Sequence, residues 1–187
     1  FRESTLHKNG AVEQIIELLK EKGHTYEKEG ALWFKATDFG SEDFVLVRSN
    51  GIPTYVVPDI AYHYNKLVTR GFDKAIDVLG ADHHGYIPRL KASMQALGVD
   101  ADKLDAVLMQ MVRLVRDGQV IKASKRSGKA ITLVTLLDEV PIDAARFFFN
   151  LREANSHFDF DLDLAVEQSS PVSYTHLRAH ETLRHVG

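Results

Sequence analysis

The stretch AIDVLGADHHGYIPRL, residues 75–90, decides the fold of this chain. It begins with a short apolar run that is typical of a buried strand, passes through a polar loop between Gly80 and Gly85, and continues with helical spacing to about residue 97. In open α/β sheets, ligands bind outside the carboxyl ends of the strands, where glycines let the backbone approach closely. The stretch therefore predicts a strand–loop–helix unit of an α/β fold, with a binding loop at its centre.

The chemistry of that loop rests on three side chains. Asp82 is suited to accept hydrogen bonds from ribose or amine groups, and His83 and His84 are suited to contact phosphate or adenine. The same residues also fit a plain turn in which Asp82 caps the next helix and both histidines face solvent. The loop alone leaves both interpretations open.

The rest of the chain has the same alternation of strands and helices. Apolar runs bounded by glycine predict strands, and two of them, at 31–36 and 44–48, are typical of an antiparallel meander. Periodic apolar residues predict helices, and Pro58 suits the first turn of one of them. The predicted strands are 31–36, 44–48, 54–57, 75–79 and 107–115 with a return at 120–121, and the predicted helices are 11–22, 58–70, 87–97, 133–139 and 143–151. This pattern favours an α/β fold with a partly parallel sheet.

Composition limits the class of protein. The chain has 187 residues, of which 44% are hydrophobic and 26% charged, as in an ordinary globular protein with a sizeable core. No apolar run approaches the roughly 20 residues of a membrane-spanning helix. The lack of cysteine excludes disulfides and thiolate metal sites, and it fits a reducing compartment such as the cytoplasm. A formal net charge of −3 argues against a general nucleic-acid coat but allows a local basic patch.

A second candidate site lies at a predicted strand-to-helix junction. Tyr55 and Asp59 are four residues apart, and Asp59 falls in the first helical turn, where the helix dipole favours a carboxylate. Such a carboxylate can accept two hydrogen bonds from a planar cation such as guanidinium. The alternative is an ordinary acidic residue of a first helical turn.

A third candidate site is the basic loop, residues 121–128 (IKASKRSG), just after a turn at Asp117-Gly118. It contains three cations, two hydroxyls and a glycine. Ammonium groups are not buried unpaired, whereas mobile cations and hydroxyls suit the binding of a polyphosphate. A solvated basic turn is the alternative, because charged runs on loops are common.

Taken together and in this order, these segments resemble the catalytic domain of the arginyl-tRNA synthetases, a family of class I aminoacyl-tRNA synthetases. The resemblance covers residues 1–169, and the basic loop is similar to the family's KMSKS loop, with Ala123 in place of the usual methionine. Both lysines and the serine of that loop are kept, so the phosphate role is expected to be intact. The matching blocks are GALW (30–33), TYVVPDIAYH (54–63), GADHHGY (80–86), KASKR (122–126) and DAARFFF (143–149).

The resemblance implies roles for the matching positions. Arginine would be bound by Tyr55, Asp59 and Asp82, with Asp59 facing the guanidinium group. ATP would be bound by Gly80, Asp82, His83, His84, Lys122 and Lys125. The catalytic residues would be Lys122, Ser124 and Lys125, since cations there stabilise the pyrophosphate as the arginine carboxylate attacks the α-phosphate. The implied ligands are arginine, ATP with Mg²⁺ and tRNA(Arg), with no metal held by the protein itself; the full-length protein is expected to be a cytoplasmic monomer.

The sequence departs from the family in two ways. The HIGH motif is absent, and so is the anticodon-binding helical domain, so we expect an internal fragment that is inactive alone. The expected domains are a Rossmann-type catalytic portion over 1–140, with an inserted antiparallel strand segment at about 1–52, and a helical connection over 141–169. Residues 170–187 resemble a translated adapter or vector read-through and are expected to be a non-native tail. We weigh a metal site at His176, His180 and His185 in that tail and set it aside.

Two other classes of protein compete with this interpretation. Asp82-His83-His84 is similar to the signature of metal-dependent DHH-type phosphoesterases, which need further carboxylates such as Asp159, Asp161 and Asp163 to hold a metal pair. A non-catalytic RNA-binding module would instead use a stripe of cations to follow the phosphate backbone. The cations available for it are Arg113, Arg116, Lys122, Lys125, Arg126 and Lys129. Aromatic residues for base stacking are not interleaved with them.

Overall fold

The computed structural model of the chain describes residues 1–121 and 132–167. The predictions for Lys122, Ser124 and Lys125 of the basic loop, and for the tail from residue 170, lie outside the described residues. The chain divides into two compact units, Phe1–Leu108 and Met109–Gly187.

The first unit is built from helices and strands in alternation. Its helices are α1 (Ser4–Lys8), α2 (Ala11–Glu21), α3 (Val56–Tyr64) and α4 (Tyr86–Ala96), and α3 continues as a π-helical turn over Asn65–Thr69. Its strands are β1 (Thr25–Lys28), β2 (Ala31–Phe34), β3 (Phe44–Val47), β4 (Ala75–Gly80) and β5 (Leu104–Met109), the last of which reaches the unit boundary. The predicted helices at 11–22, 58–70 and 87–97 are confirmed with shifts of a few residues at their ends.

The predicted antiparallel strand segment near the N-terminus is confirmed. The strands form a sheet in the order β1-β2-β3, and both pairs are antiparallel. Strand β1 was not predicted from the sequence. It joins β2 through Glu29 and Gly30, both with positive φ (55° and 73°). Two such residues make the type I′ turn whose twist suits a two-residue hairpin. The signal was weak because glutamate is an unusual residue in the first position of that turn.

The other sheet of this unit pairs β4 with β5. One of these strands confirms a prediction, and the other corrects one. The strand predicted at 75–79 is β4. The single strand predicted at 107–115 is wrong, because β5 ends at Met109 and a new strand begins at Val112. The apolar run looked continuous because strands that end and restart leave the hydrophobic pattern unbroken.

The strand predicted at 54–57 is also wrong. Thr54 is not part of a strand, although its N–H donates to the Leu46 carbonyl (2.8 Å) and its hydroxyl to the Val45 carbonyl (2.8 Å) of β3. Tyr55 already has helical backbone angles (φ −59°, ψ −23°), and α3 begins at Val56. β-branched residues favour strands only weakly, so a side-chain hydrogen bond and the start of α3 outweigh them here.

The core of the first unit lies between α2, α3, α4 and the three-stranded sheet. The apolar stripe of α2 is buried, and Gly23 (φ 74°) follows the end of the helix in the left-handed conformation. Sheet residues Phe34 and Leu46 are fully buried against it. The core side chains from the helices include Val12, Ile15, Leu19, Val57, Ile60, Leu90 and Met94. This packing fixes α3 and α4, the two helices that border the candidate site.

The second unit has mixed parallel and antiparallel pairing. Its strands β6 (Val112–Arg116), β7 (Gln119–Val120) and β8 (Phe158–Asp161) form a sheet in the order β7-β6-β8. β6 and β7 are antiparallel and joined by the predicted turn at Asp117-Gly118, whereas β6 and β8 are parallel. The helices are α5 (Leu133–Glu139), α6 (Ile142–Asn150) and α7 (Leu162–Glu167). Thr132 caps α5, because its hydroxyl accepts from the Thr135 N–H (3.2 Å).

Asp159 and Asp163, two of the carboxylates considered for a metal pair, are exposed, and β8 is an edge strand of its sheet. Phe160 is fully buried in the core of the second unit, and α7 begins at Leu162. The mixed α/β fold class is confirmed, including helices after the basic loop. The predicted domain boundary at residue 140 stays a prediction. Within the described part of the chain, no helix is long and apolar enough to cross a membrane.

Candidate substrate cleft

One cleft of about 460 Å³ lies where α3 begins and β4 ends. It brings together four of the residues predicted from sequence, although they come from two separate segments. The residues that line it are Tyr55, Asp59, Leu79, Asp82, His83, Gly85, Tyr86 and Arg89. Gly80 and His84 belong to the same loop but do not line the cleft. The loop after β4 and the first turn of α3 therefore form one site.

Asp59 is held in the cleft by a residue that the sequence analysis did not assign to the site. The Tyr86 hydroxyl donates to Asp59 Oδ2 over 2.5 Å. Burial of Tyr86, its hydrogen bond to Asp59 and the Asp59 charge together raise the pKa of Tyr86 far above its ordinary value. Tyr86 therefore stays a donor at neutral pH, and Asp59 keeps its other oxygen without a protein partner among the described residues.

Aromatic rings form one wall of the cleft. The Tyr86 ring lies 6.0 Å from Tyr55 and 6.2 Å from His83, measured between centroids. Tyr55 is 70% exposed, so its ring is available to a ligand. Planar cations bind over aromatic faces within about 6 Å of the ring centroid. A carboxylate beside exposed aromatic rings is thus suited to a flat, positively charged group.

The loop after β4 presents Asp82 to solvent. The Asp82 side chain is 84% exposed and 3.9 Å from His83 Nε2. It makes no capping hydrogen bond to α4, which begins at Tyr86, so the capping alternative is not observed. At Gly80, an added Cβ would lie 2.5 Å from Asp82 Oδ1. The Asp82 side chain therefore occupies the space that any larger residue at position 80 would need.

Arg89 is a second cleft residue that the sequence analysis missed. It lies on α4, with its guanidinium 4.0 Å from the Glu42 carboxylate and 5.8 Å from the Phe44 ring centre. Its position one helical turn after Tyr86 was the available signal, since residues three apart share a helix face. The cleft is therefore lined by two carboxylates and one guanidinium, which suits a zwitterionic ligand.

The residues needed for the competing classes are engaged elsewhere. Arg113 makes a bidentate ion pair with Asp159 (2.6 and 2.8 Å), and Arg116 pairs with Glu139. Asp163 accepts from the Asp117 N–H (2.7 Å). Within residues 1–121 and 132–167, no group of three or more His, Asp or Glu residues is placed to hold a metal ion. These contacts support neither a phosphoesterase metal pair nor a basic stripe that includes Arg113 and Arg116.

The fold is that of a class I aminoacyl-tRNA synthetase catalytic domain. The family described as "tRNA synthetases class I (R), catalytic domain" matches residues 2–174. The chain belongs to this family, the class I synthetase family for arginine. The comparisons support neither alternative class.

Individual relatives agree with the family. The chain is 56% identical to an arginine–tRNA ligase of Caldanaerobacter subterraneus and 53% identical to one of Acetivibrio thermocellus; each alignment covers 98% of this chain and 34% of the relative. A crystal structure described as an arginyl-tRNA synthetase from Campylobacter jejuni is 37% identical, with a TM-score of 0.81 over 98% of this chain and 41% of the other. The Thermus thermophilus arginyl-tRNA synthetase, 22% identical, shares the fold with a TM-score of 0.74 over 95% of this chain and 40% of its own. The chain thus spans about a third of the length of the curated relatives.

Proposed function

We propose that this chain supplies the arginine-binding cleft of an arginine–tRNA ligase, which converts arginine and ATP to arginyl-adenylate and transfers the arginine to tRNA(Arg). The observation that carries the proposal is the Asp59 carboxylate. One of its oxygens accepts from Tyr86, and the other has no protein partner among the described residues. The names of the relatives, arginine–tRNA ligase, support the choice of amino acid.

Arginine recognition follows from the chemistry of the cleft. Asp59 would accept a charge-assisted hydrogen bond from the guanidinium group, and the exposed Tyr55 ring would lie against its flat face. Asp82 would accept from the α-amino group of arginine or from the ribose of ATP. Arg89 would counter the carboxylate of the amino acid before the reaction. A neutral side chain of the same shape would leave Asp59 facing no charge, so the cleft would select by charge as well as by shape.

The nucleotide would lie along the loop after β4. Gly80, Asp82, His83 and His84 belong to this loop, and we propose that they contact ATP. Lys122, Ser124 and Lys125 would hold the phosphates and stabilise the pyrophosphate leaving group, with Lys122 and Lys125 supplying the charge. The reaction breaks the bond between the α- and β-phosphates while the arginine carboxylate oxygen bonds to the α-phosphorus. The protein's part is positioning and electrostatic stabilisation.

Magnesium would enter with ATP. The described residues do not group into a protein-held metal site, whereas Mg²⁺ commonly binds substrate phosphates and keeps several waters. It would supply charge neutralisation of the phosphates. The residues of this chain would act on arginine and on the nucleotide around it.

We further propose tRNA(Arg) as the acceptor, and a cytoplasmic, monomeric full-length protein. The relatives support the first by their name. Light scattering of a full-length protein would check the second, with a mass of one chain expected.

The cleft proposal is tested by titrating the chain with arginine, citrulline and lysine, followed by NMR of the Tyr55, Asp59 and Tyr86 resonances. Citrulline has the length of arginine and a neutral planar end, so it isolates the charge. We expect arginine to shift these resonances and citrulline to bind about tenfold or more weakly, since a hydrogen bond to a charged group is worth about 1.5–3 kcal/mol. Equal affinities, or arginine shifts confined to other residues, would refute the assignment of the cleft.

Activity is tested in a chimeric ligase, in which residues 1–169 of this chain replace the aligned part of the Caldanaerobacter relative, 56% identical to it. Arginine-dependent exchange of pyrophosphate into ATP is the expected result. The unaltered relative is the positive control, and ATP binding by the chimera shows that it is folded. A chimera that binds ATP without arginine-dependent exchange would refute the proposed function.

A further inference from the structure

Behind the cleft, His63 is nearly fully buried, at 4% exposed, and both of its ring nitrogens have partners. Nδ1 lies 2.8 Å from the backbone carbonyl oxygen of Asp59, and Nε2 lies 2.7 Å from Asp77 Oδ2. Lys66 adds a second cation, with its Nζ 3.2 Å from Asp77 Oδ1 and 3.2 Å from His63 Nε2. Neither the cleft nor the proposed reaction uses this group directly.

Two of the ring's three polar contacts, the Asp59 carbonyl and the Asp77 carboxylate, are acceptors, and the third, the Lys66 ammonium, is a donor that also contacts Asp77. A carbonyl oxygen cannot donate, and neither can an ionised carboxylate, so each ring nitrogen satisfies its contact by donating an N–H. Burial raises the pKa of Asp77, but the hydrogen bond from His63 and the charges of His63 and Lys66 outweigh it, and the pKa of Asp77 falls below its ordinary value. Asp77 is therefore ionised, and it is the acceptor shared by the two cations.

The ring joins two elements that border the cleft. Asp59 lies in the first turn of α3, and its backbone carbonyl is the acceptor of His63 one turn later. Asp77 lies in β4, the strand that runs into the loop of Gly80 to Tyr86. His63 thus connects the backbone of the residue that carries the cleft carboxylate to the strand that carries the opposite wall.

We propose that His63 is a positioning residue for Asp59, acting as a doubly protonated ring that bridges the Asp59 carbonyl and the Asp77 carboxylate. The part of this inference that concerns arginine rests on the proposed function. By holding the first turn of α3 against β4, the bridge keeps the Asp59 carboxylate within reach of the Tyr86 hydroxyl. Pre-organisation of this kind lowers the cost of ordering the site when a ligand binds.

The charged groups around the ring agree with this role. Asp77 in β4 provides the negative charge, and Lys66 in the π-helical turn provides a second positive charge, which lies over the Tyr62 ring at 4.3 Å. Lys66 and the ring both donate, so they are held together by the Asp77 carboxylate and not by a bond to each other. The Asp77 charge also contributes to the raised pKa of Tyr86.

The first test needs no ligand and no variant. Long-range ¹H–¹⁵N correlation spectra of the chain at pH 7.5 would give the shifts of both ring nitrogens of His63. We expect two protonated nitrogens. One unprotonated nitrogen would mean that Lys66 donates to a neutral ring, and it would overturn the bridge.

The second test compares two variants that each remove a cation from Asp77. His63→Gln removes the bridge, because one amide nitrogen cannot reach both acceptors, whereas Lys66→Met keeps it. The readout is the exchange of the Tyr86 hydroxyl proton with water, which reports on the hydrogen bond to Asp59. We expect exchange to quicken about tenfold or more in His63→Gln, as for the loss of one hydrogen bond to a charged group, and to change less than about twofold in Lys66→Met. Equal effects of the two variants would show a general structural role and refute positioning.

The third readout separates this inference from the proposed function. Arginine affinity of the two variants should fall about tenfold in His63→Gln and stay within about twofold in Lys66→Met. If the unmodified chain does not bind arginine, the proposed function fails, while the ring nitrogens and the Tyr86 hydroxyl still decide the role of His63. If arginine binds normally to His63→Gln, the positioning role fails and the proposed function stands.

Discussion

Replacement of Asp59 by asparagine should weaken the binding of arginine, for a reason that the contacts of the cleft provide. Tyr86 donates to Asp59 Oδ2 over 2.5 Å, and its raised pKa keeps the hydroxyl protonated at neutral pH. In Asp59→Asn, we expect the amide to turn its oxygen toward Tyr86, because that orientation keeps the existing hydrogen bond from the hydroxyl. The NH₂ group then points into the cleft, where the guanidinium group of arginine would meet a donor instead of an acceptor.

The magnitude follows from the loss of one charge-assisted hydrogen bond. Such a bond is worth about 1.5–3 kcal/mol, and pairs in which a buried charge is left unpaired cost about 3–5 kcal/mol. Asp59 is half-buried, so the lower range applies. We expect arginine to bind about 2–3 kcal/mol more weakly, or roughly 30- to 150-fold. The affinity for ATP should change by less than about twofold, since Asp59 is assigned to the amino acid alone.

Two assays check this prediction. Arginine and ATP are titrated into the chain, and the arginine concentration needed for pyrophosphate exchange is measured in the chimeric ligase. The matched control is Glu13→Gln, because Glu13 is also an acidic residue in the first turn of a helix, but lies on α2 away from the cleft. A double variant, Tyr86→Phe with Asp59→Asn, frees the amide to turn its oxygen into the cleft. The asparagine should then cost about 1 kcal/mol less than it does beside Tyr86.

An arginine affinity unchanged in a folded Asp59→Asn variant would place Asp59 outside the arginine site. A cost that is the same with and without Tyr86 would keep Asp59 in the site, but it would show that Tyr86 does not orient it. Both results come from one double-mutant cycle, which compares the unmodified chain, Asp59→Asn, Tyr86→Phe and the double variant.

Four further predictions follow. Lys125→Ala in the chimeric ligase should lower kcat for adenylate formation about a hundredfold to a thousandfold and raise the KM for ATP by a smaller factor, because the charge on the leaving pyrophosphate grows in the transition state. A rapid-quench rate within twofold of the unmodified chimera would remove Lys125 from the site. The 187-residue chain alone should show no arginine-dependent pyrophosphate exchange, because the HIGH motif is absent from it and catalytic residues that act as a unit lose activity together when one part is missing. Robust exchange would contradict this. Sequencing of the native gene across residue 170 should give a continuation other than residues 170–187, and finding the same codons in the intact gene would refute the predicted tail. The ionised Asp77 should stabilise the fold at a pH above its ordinary pKa of 3.8, and this contribution should be lost as the pH falls through the lower pKa of the folded state. Asp77→Asn should therefore have a smaller free energy of unfolding than the unmodified chain at pH 6, and that free energy should fall less between pH 5 and pH 3. Urea unfolding followed by the fluorescence of Trp33 would check it.

Local patterns in the sequence were enough for most elements of the fold. Periodic apolar residues predicted α2, and Pro58 correctly marked the first turn of α3. The glycine-flanked polar segment after β4 gave the loop that lines the cleft. These features depend on neighbours within a few residues, so they can be predicted from the local sequence pattern. The failures at 54–57 and 107–115 arose where an apolar run fits more than one structure.

The sequence by itself determined the alternation of strands and helices, the family, and the presence of Asp59 and Asp82 as candidate ligands. Only the tertiary structure decided which side chains meet. Tyr86 reaches Asp59 across 27 residues, Arg113 reaches Asp159 across 46, and His63 reaches Asp77 across 14. Periodicity reports which face of an element is buried, but contacts between elements depend on how those faces pack, and that is settled by the whole core at once.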